Sequence, residues 1–311
     1  MSKKTIAKLC AFVICALAAS INFAGCSRPA EGGNNAAVSS VYEKPKTAGH
    51  FEDPAIRESS GIAASPCQAD VFWTHNDSGD GAFVFAVDKR GHSRGTFHVA
   101  NAKNIDWEDI AVTKDKSGKC HLYIAEIGDN NSKRDEVAIY RVPEPTVSVK
   151  DDGQRETEPA SVFRFRYPDG PHNAETLLAN PATGALYVLT KRFDGPSGIF
   201  RLIPNFDSPD VATAEKIGEI AVPSIPNGLL TGGSVAPDGL RVMLCDYTNG
   251  YELVLPDGDQ NFEDIFKQKP TVIDLGERKQ GEGITYSADG RSVLVSSEKK
   301  GAPINEISRL R

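Results

Sequence analysis

Apolar and polar positions in this chain alternate in short runs, and one such run returns five times. Its copies occupy residues 59–63, 107–111, 174–178, 232–236 and 281–285, anchored on Ile62, Ile110, Leu177, Val235 and Ile284. Each copy is followed by a turn and a second apolar run, at 71–74, 122–125, 186–189, 242–244 and 293–295. Runs this short, bounded by Gly, Pro, Asn and Asp, read as strands. No apolar stripe at helical spacing extends beyond two turns. A strand pair recurring at intervals of about 40–50 residues is the signature of propeller blades. The pattern therefore predicts an all-β, five-bladed β-propeller over residues 49–311. The fifth copy is followed by only one further strand, so residues near 50–57 are predicted to close the last blade and hide its edge.

The first strand of a blade lines the central channel. Aligning the five copies puts Ser60, Glu108, Glu175, Gly233 and Glu282 in one ring at one mouth. Two residues earlier, on the same side of an extended chain, stand Glu58, Asp106, Asn173, Thr231 and Gln280. The ends of the second strands bring His75, Asn76, Asp77, Glu126, Asp129, Lys191, Asp246 and Glu298 to the same level. Crowded carboxylates raise one another's pKa values unless a cation neutralises them. An irregular, oxygen-only set suits Ca2+ better than Mg2+, and the candidate ligands are Glu58, Asn76, Asp106, Glu108, Glu175 and Glu282. His and Cys residues do not cluster at zinc spacing. Two structural readings stand beside the metal: Asp and Asn after a strand cap tight turns, and the glutamates accept backbone N–H groups from neighbouring blades. Arg134, Lys191 and Arg192 are placed to neutralise part of the charge.

Net charge is −7 with a pI near 5.5, which argues against a nucleic-acid partner, since that needs a clustered basic surface. No nucleophile elbow and no phosphate-binding loop before a helix is legible. His75 is the one histidine placed to act as a general base. Trp73 and Trp107 read as blade-packing aromatics. Cys67 and Cys120 fall in the same loop of neighbouring blades, which suits either a disulfide in an oxidising compartment or two separate thiols; Cys245 reads as a small core residue.

The N-terminus is an export address. Lys3, Lys4 and Lys8 precede an apolar stretch at 9–19, and Phe23-Ala24-Gly25-Cys26 follows, so residues 1–25 read as a signal peptide. Ala-Gly-Cys resembles the lipobox of bacterial lipoproteins, with Phe23 in place of the usual aliphatic residue. The resemblance implies that Cys26 carries the lipid that holds the protein to the membrane, and Ser27 points to the outer membrane facing the periplasm. An uncleaved membrane helix over 5–25 is the alternative. Residues 26–48, rich in Gly, Asn, Ala, Ser and Pro, read as a flexible tether.

Glu-Ser-Ser-Gly-Ile-Ala (58–63), Asn-Asp-Ser-Gly (76–79), Asp-Trp-Glu-Asp-Ile-Ala (106–111) and Ile-Gly-Asp-Asn (127–130) resemble a group of bacterial secreted and lipoprotein β-propellers. That group carries fold and location and no named activity. More loosely, the chain is similar to calcium-dependent propeller hydrolases of the lactonase and phosphotriesterase type and to esterase-like phytases. This likeness implies a central Ca2+ held by Glu, Asn and Asp that polarises a substrate, although the lactonase group has six blades. Two functions are thus expected: a lipid-anchored module that binds a small molecule or an envelope protein at its acidic mouth, or a Ca2+-dependent hydrolase of a lactone, ester or phosphoester.

Overall fold

A computed structural model describes residues 41–148 and 153–310. The export segment and Cys26 lie outside the described residues. Five sheets, each with four antiparallel strands, form the five predicted blades. The first runs Ser59–Ala64, Phe72–Asn76, Phe83–Val87 and Ser93–His98. The second runs Trp107–Lys114, Cys120–Glu126, Val137–Pro143 and Ser161–Arg166. The third comprises Ala174–Ala179, Leu186–Thr190, Ser197–Leu202 and Glu215–Ile220. The fourth comprises Gly232–Val235, Arg241–Cys245, Asn249–Val254 and Thr271–Asp274. The five innermost strands neighbour one another in cyclic order, the last (Gly281–Tyr286) lying against the first. The sheets thus close a ring about one channel.

The last blade is completed from the N-terminal side, but by an earlier segment than expected. Lys46–His50 pairs antiparallel with Pro303–Ser308, outside Ser292–Ser297 and Gly281–Tyr286. Tyr42 adds a bridge to Arg309. Residues 51–57 do not form the strand, and residues 42–48, assigned to the tether on composition, pair with the last blade. The cause is visible in the contacts. The Tyr42 hydroxyl donates to Glu252 Oε1 at 2.6 Å, an oxygen that also accepts from Tyr286 OH at 2.9 Å. A polar segment is thereby fixed by one buried carboxylate of the fourth blade rather than by an apolar pattern.

Two short strands were not legible from alternation. Gln154–Glu156 lies parallel to Ser93–His98 of the first blade, and Val211–Thr213 lies parallel to Ser161–Arg166 of the second. Each comes from a connection in the following blade and covers an outer edge that would otherwise offer unpaired backbone. The core fills the wedges between blades. Trp73 and Trp107 are fully buried; Trp73 donates to Glu144 Oε1 at 2.8 Å and Trp107 to the Lys103 carbonyl at 3.0 Å, so both are packing residues with satisfied N–H groups. Cys67 and Cys120 are joined by a disulfide, Cα–Cα 6.3 Å, between the first two blades. Cys245 is a buried free thiol.

Candidate functional site

The ring residues owe their direction to a defect repeated at the same point of the sheet. Strand pairing shifts register between Ser59 and Gly61, Trp107 and Asp109, Ala174 and Thr176, and Gly281 and Ile284. Ser60, Glu108, Glu175 and Glu282 fall within those shifts. An extra residue in one strand bends it and re-aims the side chain. The fourth blade pairs without a shift and has only Gly233 at the ring position.

Glu108, Glu175 and Glu282 are buried and offer oxygens that lie within 4.8 Å of one another; Asp77, Asp106 and Glu108 form a second such set. Glu108 belongs to both. The Ser60 hydroxyl lies 2.8 Å from the Glu108 carbonyl and 3.1 Å from Glu282 Oε2, bridging two of the glutamates. Lys191 donates to both oxygens of Glu175 at 2.6 Å and to Tyr247 OH at 2.6 Å. Tyr247 thus supplies the oxygen that the fourth blade's glycine cannot.

Glu58 and Asn76 are not brought into either set. Glu58 is exposed. Asn76 Oδ1 accepts from the backbone N–H of Arg57 and Glu58, at 2.9 and 3.1 Å, and its Nδ2 donates to the Ala55 carbonyl and to Asp80. With its amide fully occupied in fastening a turn, Asn76 has no oxygen free for an ion. The neighbouring Asp77 faces inward instead. Asp106, Glu108, Glu175 and Glu282 are the four candidate residues the structure brings together.

Other acidic residues of the mouth are structural. Glu126 accepts from the N–H of Ile105 and Asp106 and pairs with Arg134 at 2.7 Å, bracketing the segment that presents Asp106. Asp129 and Asp246 cap turns: Asp129 Oδ2 accepts from the N–H groups of Lys133 and Arg134, and Asp246 Oδ1 from those of Thr248 and Asn249. Arg192 pairs with exposed Asp194. His75 is not a base at the mouth. It is fully buried, with Nδ1 3.0 Å from the Asn76 carbonyl, and burial depresses its pKa to about 4.

Electrostatics mark these four carboxylates out. Burial, then the charges of Glu175, Asp77, Asp106 and Glu282, hold Glu108 well above the ordinary glutamate range. Burial and then Glu175 and Glu298 do the same to Glu282. Asp106 is raised to about 6 by burial, Asp77 and Glu126. Burial raises Glu175 to about 7 even against the Lys191 ammonium, which stays charged.

These residues fit a hard divalent ion. Ligands around one Ca2+ stand no more than about 4.6–5.2 Å apart, a limit that both sets satisfy. A Cβ at Gly128 would collide with Glu108 Oε1 and the Asp106 carboxylate, so a glycine keeps the space beside those oxygens clear. Lys191 already occupies Glu175, which leaves Asp77, Asp106 and Glu108 as the less compensated seat.

A pH dependence follows. A carboxyl whose pKa is raised by folding stabilises the folded state below its unfolded pKa, and that stability is lost as pH rises through the folded value. Buried neutral His75 works oppositely, but only below its ordinary value of 6.5. In chelator, the melting temperature is therefore expected to fall as pH rises from 6.5, where His75 no longer opposes it, through about 7, where Glu175 ionises, with Glu108 and Glu282, raised by burial, acting in the same direction. Added Ca2+ is expected to reverse the fall. Thermal melts across this range check it, and a melting temperature that rises with pH in chelator would contradict it.

No family model and no curated protein matches the sequence. Among solved structures, a gluconolactonase from Xanthomonas campestris, described as important in glucose secondary metabolic pathways, superposes with a TM-score of 0.42 at 14% identity, over 86% of this chain and 95% of that one. At that distance no residue role is carried across.

Proposed function

We propose that the acidic mouth binds Ca2+ and that the loaded mouth captures the protein's ligand, a small molecule or an envelope protein. The observation that carries this reading is the convergence of Asp77, Asp106, Glu108, Glu175 and Glu282 in two oxygen sets that share Glu108, with Lys191 paired to Glu175. Asp77, Asp106 and Glu108 would hold the ion, with Glu282 beside them. When bound, the ion supplies a Lewis acid for a carbonyl, carboxylate or phosphoryl oxygen. The chain's own groups position rather than react. Ser60 is hydrogen-bonded between two glutamates, Lys191 fixes Glu175 and Tyr247, and His75 is turned away in the core. The Ser60 hydroxyl is paired with glutamates rather than with a histidine, an arrangement that favours binding over catalysis. The basic, apolar start and Cys26 support the reading of the propeller as a lipid-anchored protein of the bacterial envelope, on the outer membrane facing the periplasm.

Two measurements test this. The wild-type protein is expected in the membrane fraction and Cys26→Ala in the soluble one; identical partitioning would remove the anchor. A panel of lactones, esters and phosphoesters, with and without Ca2+, is expected to show no turnover. Calcium-dependent turnover that disappears in both Glu108→Gln and Glu282→Gln would replace the binding module with a hydrolase.

A further inference from the structure

Beside the mouth, between the segment 277–279 and the turn 298–302 of the last blade, lies a cavity of about 510 Å3. Its charged lining is Arg278, Lys279, Lys299 and Lys300 against Glu277 and Glu298. Four cations therefore face two carboxylates, in a protein whose net charge is −7. The compensation is incomplete. Lys299 approaches Glu298 only at 3.6 Å, and Arg278, Lys279 and Lys300 make no ion pair among the described residues.

Arg278 is the informative member. Its Nη2 donates to the Asp246 carbonyl at 3.2 Å, while Nε and Nη1 are buried without a hydrogen-bond partner. The guanidinium lies against Gly281, where a Cβ would collide with it. Its side chain lines the cavity with two donors still unpaired. Buried unpaired donors are uncommon in folded proteins and call for a partner such as water or an ion. Lys299 adds an independent sign, being held at φ 96°. Positive φ strains a residue with a side chain, and such strain concentrates at ligand clamps. Glu298 joins the cavity to the mouth: it lines the former, and the preceding Ser297 pairs with Gly281, the neighbour of ring residue Glu282.

We propose that this cavity takes an oxyanion group, phosphate or carboxylate, of the ligand bound at the acidic mouth, with Arg278 as the fork and Lys299 and Lys300 as flanking charges. Arginine matches both groups bidentately. This rests on the mouth being the ligand site and narrows that ligand to an anionic molecule with one end on the ion and the other on the guanidinium.

Calorimetric titration of the full chain with inorganic phosphate, and separately with acetate, tests it in calcium-free buffer, so that the anion result does not depend on the ion. Saturable binding is expected, weakened about tenfold or more in Arg278→Gln and in the double variant Lys299→Gln/Lys300→Gln. The double variant changes only exposed side chains, so it keeps the test valid if Arg278→Gln misfolds. Tighter phosphate identifies a phosphoryl group, and tighter acetate a carboxylate. Absence of saturable binding for both anions overturns the proposal, as does unchanged affinity in the variants. Calcium titrated into Arg278→Gln is expected to bind as in wild type. Loss of calcium binding everywhere, with anion binding intact, would remove the ion and leave the basic cavity standing.

Discussion

Glu108→Gln is expected to abolish stabilisation by Ca2+ and, in the same protein, to raise the melting temperature measured in chelator. Glu108 is the carboxylate shared by both oxygen sets, so its charge contributes to either seat for the ion. A ligand present at a hundred times its dissociation constant stabilises by about 2.7 kcal/mol. In a domain of this size that is a rise of roughly 5–10 °C, and it is the rise the variant should lose. The gain without calcium has a different origin. Wild-type Glu108 is held well above its ordinary pKa by burial and by four neighbouring carboxylates. Ionising it at neutral pH therefore works against folding, and a neutral amide of the same shape removes that opposition. Gly128→Ala separates charge from space. It retains every carboxylate but places a methyl group against Glu108 and Asp106, so calcium stabilisation should fall without a gain in chelator. A full calcium shift in Glu108→Gln would rule out the ion site as described.

Much of this mouth was legible before any coordinates, because four of the five blades displace the pairing at the same residue of the repeated run. Aligning the copies by their apolar anchors therefore aligned the residues inside the displacement, and Glu108, Glu175 and Glu282 fell together. What alignment does not resolve is rotation at a turn. Asn76 and Asp77 end the same strand, and a shift of one residue reverses the face. The choice was settled by Asn76 capping the N–H groups of Arg57 and Glu58, which a pattern of polar letters does not reveal. The closing strand at Lys46–His50 was hidden for another reason. It is an outer strand with an exposed, half-polar face, so it lacks alternation, and Tyr42 is secured by Glu252, 210 residues away. The basic cavity escaped notice because its lysines come from an ordinary turn and its arginine from a polar connection. Only their meeting in space makes them a site.

Asp109→Ala is expected to destabilise the whole ring, although Asp109 is adjacent to Glu108 and carries the same charge. Each innermost strand is the edge of its sheet, so its outward N–H groups face the channel rather than a ladder partner. Asp109 answers them across blades: its carboxylate accepts from Ile110 N at 2.8 Å, from Leu177 N of the third blade at 2.9 Å and, more weakly, from Gly233 N of the fourth at 3.4 Å. It is the fastener that sequence reasoning assigned to the glutamates. Burial holds its pKa well above the ordinary aspartate range, opposed by those three hydrogen bonds. Removing the carboxylate leaves the N–H groups of Leu177 and Gly233 without their acceptor in a closed space, at about 1–3 kcal/mol each. A loss of roughly 2–6 kcal/mol is a large share of the 5–15 kcal/mol that holds a typical protein folded. Asp109→Asn retains one acceptor oxygen, which suits the shorter bond to Leu177, and is expected to lose less than half as much. Urea unfolding of both variants in chelator checks the order, and a change within about 0.5 kcal/mol for Asp109→Ala would show that the blades do not depend on this bridge. Neighbouring acids in one strand should therefore move ion-free stability in opposite directions: neutralising Glu108 relieves a crowded mouth, whereas truncating Asp109 unfastens three blades.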